Sequence, residues 1–120
     1  SGYLTLAEKL YIDGANFSEA WNFGPDDDEV YSVISIVEKL NNLLADKIKW
    51  DEFESNKLHE AKLLSLNIDK AKKELNWKPQ LSIDESLKLI VNWNDAYIKK
   101  TNMKIFSIGQ INSYHNIISN

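Results

Sequence analysis

Leu4, Leu6, Ala7, Leu10 and Tyr11 recur at helical spacing near the start of the chain, with Glu8 and Lys9 between them. The pattern predicts a helix that ends at Asp13-Gly14, because glycine readily takes the left-handed conformation that closes a helix. No capping signal precedes that helix, and we expect a chain truncated at its N-terminus. Ala20-Trp21-Asn22-Phe23, followed by Gly24-Pro25, predicts a brief strand and a turn. The acidic run Asp26 to Glu29 comes next. Ser32 is then the expected cap of a second helix whose apolar stripe is Val33, Ile36, Val37, Leu40, Leu43 and Leu44.

Ile48-Lys49-Trp50 reads as another short strand, and 51–58 as a polar loop. Ala61 to Leu66 fits strand or helix. Strand is preferred, because Asn67 then serves as the cap of a helix over Ile68 to Leu75, which Trp77 and Pro79 bring to an end. Ser82 and Glu85 have the spacing of a capping box, in which two free N–H groups are satisfied reciprocally. The longest helix should start there and run through Leu87, Ile90 and Val91 to Tyr97 and Ile98. Ser107 and Gln110 repeat the spacing and predict a short last helix with Ile108, Ile111, Tyr114 and Ile118. The expected fold is a small α/β domain over 1–120, mostly helical with a few short strands.

Composition narrows the chemistry. The 120 residues include no cysteine, which excludes disulfides, thiolate nucleophiles and cysteine-ligated metals. All 14 basic residues are lysines, so no planar guanidinium is present to hold a carboxylate or phosphate at two points. A net charge of -4 disfavours nucleic acid and anionic membrane as partners. No apolar run reaches the ~18 residues of a membrane span, and a cytoplasmic protein is expected.

Several catalytic patterns cannot be written. The glycines at 2, 14, 24 and 109 form neither a dinucleotide-binding loop nor a P-loop. No tyrosine has a lysine four positions later. His59 and His115 are too far apart for a zinc helix, and Asp26 to Asp28 lack the alternating ligands of a calcium loop. No metal site and no catalytic residue is expected. One polar cluster remains, Lys57-Leu58-His59-Glu60, placed just before an apolar run. Lys57 can meet a phosphate as a point charge, Glu60 can accept hydrogen bonds from ribose hydroxyls, and His59 can stack on or bond to a nucleotide. An ordinary solvated loop has the same composition. Trp21, Trp50, Trp77 and Trp93 fit packing anchors at element ends better than a base-binding cleft.

Several of these segments together resemble the extended short-chain dehydrogenase/reductase family. They are Gly2-Tyr3-Leu4 with Ala7 to Tyr11, Trp21 to Asp26, Ile36 to Leu40, Leu58-His59-Glu60-Ala61, Asp69 to Lys72, Glu74-Leu75-Asn76-Trp77 with Pro79, and the tail Met103 to Tyr114. The Glu-Leu-x-Trp-x-Pro block is shared by nucleotide-sugar epimerases and dehydratases. Trp21 to Asp26, His59-Glu60-Ala61 and the tail are similar to the branch that acts on CDP-glucose.

The resemblance covers the C-terminal third of such an enzyme, the lobe that closes over the nucleotide end of the substrate. It implies that NAD, the Rossmann domain and the catalytic tyrosine and lysine lie outside this chain. The implied reaction turns CDP-glucose into CDP-4-keto-6-deoxyglucose by oxidation, water elimination and reduction. Lys57 and Glu60 match the basic residue and acid that meet substrate phosphate and ribose in related epimerases, with lysine where arginine is usual. His59 and Glu60 are the first choices for substrate binding. The chain by itself should be inactive, and homo-oligomers are expected through the first helix or the face turned toward the cofactor domain. Two alternatives stand beside this: another nucleotide-sugar epimerase or dehydratase, or a stand-alone interaction module.

Overall fold

The structure is a computed structural model that describes residues 1–26, 31–45, 49–50 and 66–118. The described residues contain five helices: α1 (Gly2–Phe17), α2 (Val33–Leu43), α3 (Asp69–Leu75), α4 (Ile83–Ile98) and α5 (Met103–Ile118). The mostly helical expectation holds, and the few short strands expected beside the helices are not seen among the described residues. The segment 20–23 has the composition of a strand but no ladder, since a strand requires a second edge to take its N–H and C=O groups. Its aromatic side chains pack against helix ends instead. Lys49 and Trp50 have no regular structure either. Ile48 and 61–65 lie outside the described residues, and with them most of the two remaining strand predictions.

The chain divides into two compact units, each assembled from separated stretches. In the first, α1 packs on α3. Its core is Ile68, 2% exposed, with Ala71 and Leu75. Phe23 is an aromatic wedge, edge-on to Tyr3 at 5.3 Å and to Trp77 at 5.0 Å between ring centroids. Gly2 is buried against that wedge, and a Cβ there would run into the Phe23 ring. The expected stop at Asp13-Gly14 is a kink instead. Asp13 leaves helical geometry (φ -146°, ψ 66°), yet the helix resumes to Phe17 and Gly14 keeps a negative φ. Asn16 donates a side-chain hydrogen bond of 2.7 Å to the Asp13 carboxylate across the restarted turn.

Asn67 does act at the start of α3, its side-chain oxygen accepting the Asp69 N–H at 3.0 Å. The helix closes on Asn76, which is left-handed (φ 51°, ψ 35°), and the Trp77 N–H reaches back to the Ala71 carbonyl. Asparagine tolerates that conformation better than most side chains.

In the second unit α4 is central, with α2 and α5 packed on it. The predicted caps are present: Ser32 Oγ accepts the Ser35 N–H, and Ser82 and Glu85 form the reciprocal capping box. Lys39 reaches from α2 to Asp84 on α4 at 2.8 Å. α4 matches its predicted span, though α1 and α5 equal its 16 residues. α5 starts at Met103, four residues before the expected Ser107. Its cap is Asn102, whose side chain accepts the Ile105 N–H and whose carbonyl accepts that of Phe106. Ser107 and Gln110 serve packing instead: Trp93 Nε1 donates to Ser107 Oγ at 3.1 Å, and Gln110 Nε2 donates to the Leu89 carbonyl at 2.9 Å.

Candidate functional site

Lys57, His59 and Glu60, the candidate substrate-binding residues, lie outside the described residues. The structure does describe the segment that follows them, 66–72, and what fastens it. The stretch 19–26 is tied to it along its length. Asn22 Nδ2 donates to the Asn67 carbonyl at 3.3 Å. Gly24 approaches so closely that a Cβ there would stand 3.5 Å from Leu66 Cβ and 3.6 Å from Ile68 Cγ2. Lys70 donates to the Glu19 carboxylate and the Ala20 carbonyl, and its ammonium lies 4.3 Å from the centroid of the Trp21 ring. Lys72 forms an ion pair with Asp26.

These ties are what residue-type reasoning missed. Asp26 reads as the first of a solvated acidic run, yet it is engaged by Lys72. The available signal was the alternation Lys70-Ala71-Lys72 around a buried alanine, which leaves the two lysine stems on the flanks of the core. Trp21 and Trp77 are packing anchors, as expected. The Trp21 ring stacks on Phe17 and donates to the Phe17 carbonyl, and Trp77 donates to Ser1 Oγ. Trp93 differs. It stacks nearly parallel on Tyr97, with 5.7 Å between centroids, and with Leu89, Ile90 and Gln110 it lines an open apolar groove of about 240 Å³.

Glu85 is held below the ordinary glutamate range. The Ser82 backbone N–H is the main cause, the Ser82 hydroxyl adds to it, and Lys88 assists. This is a capping carboxylate and has no catalytic geometry around it. No group of three or more His, Asp or Glu side chains suited to a metal ion occurs among the described residues. The glycines do not fit a dinucleotide: Gly2 is pressed on Phe23, Gly24 lies against Leu66 and Ile68, and Gly14 and Gly109 sit inside helices. A pyrophosphate needs backbone N–H groups left open at a loop before a helix. None of the described helices is long and apolar enough to cross a membrane.

Against known proteins, 114 residues, 95% of the chain, align at 41% identity with a protein of Salmonella typhimurium strain LT2. The chain is similar to CDP-glucose 4,6-dehydratase. The similarity to the branch that acts on CDP-glucose, read from the residues, is therefore supported over 95% of the chain. The match takes in 32% of that relative, so the chain spans about a third of its length. The UDP-glucuronate 4-epimerase of Thermodesulfobacterium geofontis is 40% identical over 68 residues, which is 57% of the chain and 21% of the relative. No family model matches.

Proposed function

We propose that this chain is the C-terminal, substrate-binding part of a cytoplasmic CDP-glucose 4,6-dehydratase, an extended short-chain dehydrogenase/reductase. The observation that carries the reading is the 41% identity over 95% of the chain. The parent enzyme converts CDP-glucose to CDP-4-keto-6-deoxyglucose and water, a change that is redox-neutral overall. NAD and the tyrosine–lysine pair belong to a Rossmann domain outside this sequence. Two features support that division: no Tyr-x-x-x-Lys occurs here, and no glycine is placed to admit a pyrophosphate.

Within this part, His59 and Glu60 bind the nucleotide, and Lys57 neutralises the diphosphate as a point charge. The full-length protein carrying His59→Ala or Glu60→Ala should show a KM for CDP-glucose raised at least ten-fold in steady-state assays. An unchanged KM in both variants removes these residues from the site. Calorimetry of the full-length protein should rank CDP above UDP, GDP and dTDP. A preference for UDP would favour the second reading, a nucleotide-sugar epimerase, which rests on the shorter 40% match.

The reading also accounts for an uncovered face. Tyr3, Leu4, Tyr11 and Ile12 of α1 are 79%, 77%, 92% and 70% exposed. Such a face suits a helix that meets the rest of the enzyme, and in the chain by itself it pairs one copy with another.

A further inference from the structure

We draw no further inference here: the strongest candidate, the open apolar groove between α4 and α5 lined by Leu89, Ile90, Trp93 and Gln110, is an unpartnered face, and nothing in the structure shows what covers it.

Discussion

A single methyl group is decisive at Gly2. The Phe23 ring stands where a Cβ would go, so the ring must shift to make room, and its edge contacts with Tyr3 and Trp77 oppose that shift. Gly2→Ala should destabilise the chain by about 1–3 kcal/mol, the usual range for overpacking, read as a lowered urea midpoint at unchanged slope. Ser82 and Glu85 make the second test at this scale. The folded-state pKa of Glu85 is depressed, so its contribution is present above the unfolded value and is lost as pH falls through the folded one. The stability difference between the parent chain and Glu85→Gln should be full at neutral pH and shrink on acidification through the carboxylate range. Urea unfolding at a series of pH values measures it, and a difference that grows toward acid would contradict the assignment.

Among the helices, the beginning of α5 separates what local pattern encodes from what packing imposes. The spacing of Ser107 and Gln110 is that of a cap, and it misleads because both side chains are claimed by α4, through Trp93 and the Leu89 carbonyl. Asn102 carries out the capping. Asn102→Ala should cost about 1 kcal/mol and speed hydrogen exchange in the first turn of α5. Ser107→Ala should leave that turn protected and instead loosen Trp93, visible in its fluorescence. The opposite result would restore Ser107 as the cap. The caps at Ser32 and Ser82, and the Asn67 turn just before the Ile68 cap of α3, were legible because their partners lie two or three residues away, within reach of local sequence. The kink at Asp13 was legible as an interruption but not as a restart, since Asp13 and Asn16 cooperate across a glycine that ordinarily ends a helix.

For the molecule as a whole, uncovered apolar surface is the feature with consequences. Tyr3, Leu4, Tyr11 and Ile12 expose large side chains on one helix, whose single buried residue is Gly2. The 120-residue chain should sediment as a dimer or higher species at high concentration, and Leu4→Lys with Tyr11→Lys should shift it to monomer. A chain that is monomeric throughout would count against α1 as a contact face. Incubated alone with CDP-glucose and NAD, the chain should form no keto sugar. Periodicity and short-range capping residues established five helices and most of their ends, and composition established which chemistry is absent, because both depend on neighbours along the chain. Whether 20–23 becomes a strand, which lysine engages Asp26 and what Gly2 and Gly24 accommodate were decided by tertiary structure. Those outcomes depend on which distant surface supplies the hydrogen-bond partner, the countercharge or the packing wall, and that surface is set only when separated stretches of chain meet.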